Sequence, residues 1–206
     1  MKTLRPLAIA LFALLAFAAV SAAAPVTYTI NKPHTEVGFD VRHVFSKVHG
    51  HFTDFAGTIV FDEQNPAAIS VDATADAKSI STNNDFRDKD LRSPNFFAVD
   101  SFPTLSFKST KVTAAGKNKY KLAGNLTMRG VTKPVVFDAE FLGAGAFGMD
   151  GKAMGAKAGF TATTVVNRKD FGINWNKVLD NGSMLLSDDV TLTLNVEADQ
   201  VQAGTK

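Results

Sequence analysis

The chain of 206 residues has no cysteine, one tryptophan and two tyrosines. Without cysteine there is no disulfide framework, thiolate metal site or thiol nucleophile, so any domain here rests on an ordinary hydrophobic core. Neither sign of charge dominates. Lys and Arg number 22 against 20 Asp and Glu, and the surplus of two is matched by Lys2 and Arg5. Beyond those two cations the chain is formally neutral, with no electrostatic footprint for nucleic acid and no polybasic patch for anionic lipid. After residue 20 no apolar stretch reaches the roughly 20 residues that span a bilayer. A G-x-S-x-G turn and an H-E-x-x-H helix are both missing, which removes the commonest signatures of serine hydrolases and zinc proteases. No catalytic residue and no cofactor are expected.

The first 23 residues carry the marks of a secretory signal: Lys2 and Arg5, then an apolar run over 7–20, then the small residues Ser21, Ala22, Ala23 and Ala24. Cleavage is expected after Ala23, because a cut after Ala24 would place Pro25 just past the scissile bond. This divides the chain into a signal peptide, 1–23, and a single exported domain, 24–206, with a periplasmic location.

What the remainder has in quantity is phenylalanine, 17 residues, set in period-2 alternation. Val37, Phe39 and Val41 alternate with Glu36, Gly38, Asp40 and Arg42. Val48, Gly50 and Phe52 then alternate with His49 and His51. This is the period of half-buried strands. The same period recurs over 69–76, 104–112, 119–128, 132–142, 157–166 and 190–196, with a short opening strand at 28–30. Residues 143–151 read as a glycine-rich loop and 167–181 as irregular. One segment departs from this pattern. Residues 84–92, preceded by Ser81–Asn83 as capping candidates and stopped by Pro94, predict one short helix that lies over a surface. About eight strands with short turns and one helix give an all-β antiparallel fold, and the long strands favour an eight-stranded barrel over a sandwich. Phenylalanines beside glycines fit either a packed core or a hollow one.

Four stretches together resemble the YceI-like family: His34–His43, Leu91–Phe97, Gly124–Val135 and Val166–Gly172. The resemblance spans about 28–198. It implies a lipocalin-like barrel, export, and a cavity for a long polyisoprenoid, isoprenoid quinone or other long-chain lipid, held by a carrier rather than transformed by an enzyme. Transient membrane contact and a homodimer are compatible with that reading. Phe39, Val41, Phe52, Val71, Phe97, Phe107, Leu122, Leu126, Phe137, Phe160 and Trp175 are expected to line the cavity, although each also fits a plain core position. A phosphate or quinone head would meet Arg42, His43 and Arg168, arginine offering a planar fork that suits phosphate. The two arginines equally fit structural roles beside Asp40, Asp54 or Asp170. Arg87, Lys89 and Arg92 add cations on the helix, and the lone Trp175 is a fluorescence reporter for the site.

Two other readings compete. His43, His49 and His51 fall within nine residues, and three imidazoles would suit a zinc hydrolase; on a strand face, however, histidines are usually solvated. The other alternative is a structural or stress-related envelope protein with a filled barrel.

Overall fold

The computed structural model describes residues 24–202; the expected signal segment, 1–23, lies outside them. Eleven strands and one α-helix follow in order: β1 Val26–Ile30, β2 Glu36–His43, β3 Ser46–Phe52, β4 Phe55–Phe61, β5 Ser70–Asp76, β6 Ile80–Ser81, α1 Asp85–Arg92, β7 Thr104–Gly116, β8 Lys119–Met128, β9 Val131–Met149, β10 Lys152–Asn167 and β11 Leu186–Gln200. All pairings are antiparallel. The ring runs β1-β4-β5-β7-β8-β9-β10-β11 and closes through β1 against β11, giving the eight-stranded barrel expected from the alternation.

The three remaining strands continue three of these staves. Strand β11 pairs with β1 over Ala198–Gln200 and with β2 over Leu186–Asn195, so β1 and β2 share one edge of it. Strands β4 and β3, and β5 and β6, are related in the same way. Each break is hydrogen-bonded across. At the β1–β2 break, Thr35 Oγ1 donates to Glu197 O (3.0 Å) and accepts from Glu197 N (3.2 Å). At the β3–β4 break, Thr53 N donates to Ser79 O (3.1 Å) and Asp76 N to Asp54 O (2.9 Å).

Beyond the breaks the wall is incomplete. Strand β6 pairs with β3 but not with β7, which begins only at Thr104. Helix α1 and residues 93–103 fill this gap. Asn84 caps the helix, its Oδ1 accepting from Arg87 N at 3.0 Å. The helix therefore starts one residue later than expected, and its cap is Asn84 rather than one of Ser81–Asn83. Buried Asp88 accepts from Thr82 N (2.8 Å) and Thr82 Oγ1 (2.5 Å), and Arg87 donates from Nη2 to Thr82 O (2.8 Å). Arg92 donates to Lys78 O (2.8 Å) and Ile80 O (2.6 Å). Guanidinium groups thus give β6 the donors that a neighbouring strand would have supplied.

The glycine-rich stretch corrects the sequence reading. Residues 143–149 are not a loop; β9 continues through them to Met149 and pairs with β10 down to Lys152, with irregularities at Ala153/Gly155 and Gly159/Phe160. Alternating Gly and Ala weaken the strand signal but do not block ladder hydrogen bonds. The resulting hairpin arm projects past β8, whose pairing with β9 stops at Glu140.

Inside, glycine and phenylalanine are matched across strands. Phe39 lies opposite Gly50, and its ring occupies the space a Gly50 Cβ would take. The Phe107 ring covers Gly124 in the same manner. Rings pressed on the wall this way leave the centre open. Gly50→Ala is expected to cost about 1–3 kcal/mol, the usual range for overpacking, by forcing the Phe39 ring inward. Urea unfolding measures this cost, and an unchanged midpoint would mean that the ring is not held against the wall.

Candidate functional site: an apolar cavity with one polar mouth

At one end the barrel is plugged by aromatic rings. Phe61 sits 4.4 Å from Phe141, 5.3 Å from Phe160 and 5.9 Å from Tyr120 (centroid distances), and Tyr28 meets Phe160 edge-on at 6.4 Å. Such pairs add specific edge and offset contacts to the area they bury. Burial raises the pKa of both Tyr28 and Tyr120 above the ordinary phenol value.

Above this plug lies a cavity of about 610 Å³, within the range of small-molecule sites. Phe39, Val41, Phe52, Val71, Phe97, Phe107, Leu122, Leu126, Phe137 and Trp175, all among the expected lining residues, border it. Phe160 does not; it belongs to the plug, because its height along β10 places it beside Phe61 and Phe141. Val190, Leu192 and Leu194 of β11 also border the cavity. Sequence reasoning saw their alternation but did not assign them to the wall. Phe96, Leu91 and Ile173 complete the mouth half, and the Phe96 ring lies 5.3 Å from Trp175, tilted by 45°.

Polar groups gather mainly at the mouth: His43, Asn84, Arg87, Asp90 and Arg168, with Thr74 and Ser106 on the β5–β7 side. Most of these are already committed. Asp90 accepts from Ser93 Oγ (3.3 Å) and Asn95 Nδ2 (3.2 Å). Arg168 is buried. Its Nη1 donates to Ile173 O and Trp175 O (both 2.7 Å), its Nε to Ser187 O (2.9 Å), and its Nη2 contacts Asp188 Oδ1 at 3.2 Å. Burial pushes its pKa down, partly opposed by Asp188. Arg168 therefore holds residues 173–175 and the start of β11 together, with little donor capacity left for a ligand head. Arg42 is exposed on the outer face and donates to Val44 O (3.1 Å), away from the cavity. Of the three expected head-group residues, His43 alone faces the mouth without a comparable set of partners.

The histidines do not converge. Inward-facing His43 is on the opposite face of the β2–β3 ladder from His49 and His51, since His49 pairs with Asp40 and His51 with Gly38. The His49 and His51 rings stack 6.4 Å apart outside the barrel. Among the described residues no three His, Asp or Glu side chains are gathered as a metal site. His49 Nε2 meets Glu36 Oε1 at 2.9 Å and Nδ1 meets Asp40 Oδ1 at 3.2 Å; these contacts, led by Glu36, raise its pKa above the usual imidazole value.

The model of the YceI-like domain matches residues 28–198. Protein YceI of Salmonella agona is 41% identical over 192 residues, covering 92% of this chain and 94% of its own. Among solved structures, Burkholderia cenocepacia BcnA superposes with a TM-score of 0.72 at 20% identity, over 82% of this chain and 99% of its own. A polyisoprenoid binding domain from Saccharophagus degradans, implicated in plant cell wall breakdown, superposes with a TM-score of 0.61 at 12% identity, over 85% and 99%. At such identities the two structures speak to fold alone.

Arg168→Lys is expected to lose about 2–3 kcal/mol, because a point-like ammonium cannot bridge the acceptors a planar fork reaches; Arg42→Ala should change stability by less than about 0.5 kcal/mol. Chemical denaturation separates the two, and equal effects would contradict the assignment of Arg168 as the structural hub. His49 gives a pH test. Its raised folded pKa means that its contribution is complete below about pH 6.5 and fades as pH rises through the folded value. The stability gap between the native chain and His49→Gln should therefore be wider near pH 5.5 than near pH 8.5, at a half-exposed site where the effect is small.

Proposed function

Because this chain belongs to the YceI-like family, we propose that it is an exported carrier that holds one long apolar lipid, a polyisoprenoid or isoprenoid quinone, inside its barrel. The observation that carries this reading is the cavity of about 610 Å³, walled by Phe, Leu and Val, plugged at one end and edged with polar groups at the other. A flexible apolar tail gains roughly 0.8 kcal/mol per buried CH₂ and needs no hydrogen bonds along its length. The Saccharophagus domain, a polyisoprenoid binding domain that shares the fold, is consistent with this class of cargo. The cations that border the cavity, Arg87 and Arg168, are engaged with backbone carbonyls, which favours a head group of low charge placed near His43. The reading is of a binding protein, not an enzyme. The apolar run at 7–20 with its two leading cations supports a periplasmic location.

Native mass spectrometry of protein isolated without detergent, followed by solvent extraction, tests the proposal. One isoprenoid per chain is expected; an empty protein that takes up no added isoprenoid would overturn it. Val71→Trp, which projects a larger ring into the cavity, should sharply lower lipid occupancy in the same spectrum. Its cost in stability should be about 1–3 kcal/mol.

A further inference from the structure

The rim of the mouth exposes apolar side chains that the carrier reading does not use. Phe45 is 98% exposed at the tip of the β2–β3 hairpin. Its neighbour Val44 takes φ +52°, the left-handed region where a β-branched residue is strained and where glycine is the usual choice in a two-residue turn. Strain and full exposure at one tip are costs that folding does not require, and such positions cluster at functional sites.

A second loop meets this tip. Val44 N donates to Leu185 O (3.0 Å), and Leu185 N donates to Lys177 O (2.9 Å), so the hairpin and residues 177–185 form one continuous rim. On that loop Val178 and Met184 bridge each other and remain half-exposed. His43 and Leu185, on the same two segments, border the cavity. The exposed tips therefore flank one side of the opening.

The charges around the tips have one predominant sign. Arg42, Lys47 and Lys177 are exposed, and none forms a salt bridge among the described residues. Against them these two segments carry one acid, Asp180; the adjoining first turns of α1 add exposed Asp85 and Lys89. Lys177 is far in the sequence from Arg42 and Lys47, so the neutral overall charge hides their grouping.

We propose that this rim docks on a lipid bilayer carrying anionic head groups, with Phe45, Val178 and Met184 entering the interface and Arg42, Lys47 and Lys177 resting on the head groups. This pattern of apolar tips ringed by cations is that of interfacial anchoring. A few separated tips on two loops do not make the roughly 800 Å² face a stable protein partner needs. The inference rests on the carrier reading for its purpose, because a bilayer is where a long apolar lipid is loaded or delivered. Exposed Phe86 of α1 also borders the opening, whereas exposed Phe147 and Met149 lie on the β9–β10 arm, away from the mouth, and serve as an internal control.

Co-sedimentation with vesicles of phosphatidylcholine and phosphatidylglycerol (3:1) tests the proposal, with pure phosphatidylcholine and high salt as comparisons. The native chain should bind the anionic vesicles and bind less at high salt. Phe45→Ser with Val178→Ser should lower the bound fraction roughly tenfold, whereas Phe147→Ser with Met149→Ser should leave it unchanged. Neither Phe45 nor Val178 borders the cavity, so uptake of farnesol from solution, read by Trp175 fluorescence, should be unaltered by the rim variant. The proposal is overturned if the native chain stays in the supernatant, if the rim variant sediments like the native chain, or if the arm variant loses as much. A chain that binds vesicles as described yet takes up no farnesol would sink the carrier reading and leave the docking surface standing.

Discussion

Strand β6 has an edge that no strand covers, and the mouth half of the barrel depends on how that edge is satisfied. Unpaired backbone carbonyls beside an apolar cavity would be costly. Arg92 and Arg87 supply the missing donors from α1, and Asp88 fixes the turn that leads into the helix by accepting twice from Thr82. Those bonds place Leu91 against the interior and bring the following segment, with Phe96 and Phe97, over the gap. On the opposite side Arg168 does the same for residues 173–175, and Arg129 ties Gly172 O (2.6 Å) to Pro94 O (3.0 Å). The arginines Arg87, Arg92, Arg129 and Arg168 are therefore builders of the opening, unlike the exposed cations of its rim.

A hollow interior needs a second device, because side chains tend to collapse into empty space. Here the rings of Phe39 and Phe107 are seated over Gly50 and Gly124, which holds them flat against the wall. The plug of Phe61, Phe141, Phe160 and Tyr28 supplies the dense packing that the middle lacks. Stability is thus concentrated at the closed end and in the wall, while the centre is left for a ligand.

Much of this was legible in the residues. Period-2 alternation located the staves and the polar run closed by Pro94 located the helix, but alternation groups Phe39, Phe52, Leu122 and Phe137 with their face-mates without saying which face turns inward. What alternation cannot give is height along the barrel axis. Phe160 has the correct parity but stands at the level of the plug, and Val190, Leu192 and Leu194 stand at the level of the cavity. Nor does residue type reveal commitment. Arg168 looked available for a head group until its carbonyl partners, which come from a loop without periodicity, were in place. The run at 143–149 was misread because glycine lowers strand propensity without removing the pairing capacity of its backbone.

The barrel encloses a preformed apolar cavity of finite depth that opens at one end. Binding of geraniol, farnesol, geranylgeraniol and longer isoprenols, read from Trp175 fluorescence, tests it most directly. Affinity should rise by at least about tenfold for each added isoprene unit, as expected from roughly 0.8 kcal/mol per buried CH₂, and then level off once the cavity is full. An affinity indifferent to chain length would contradict the account.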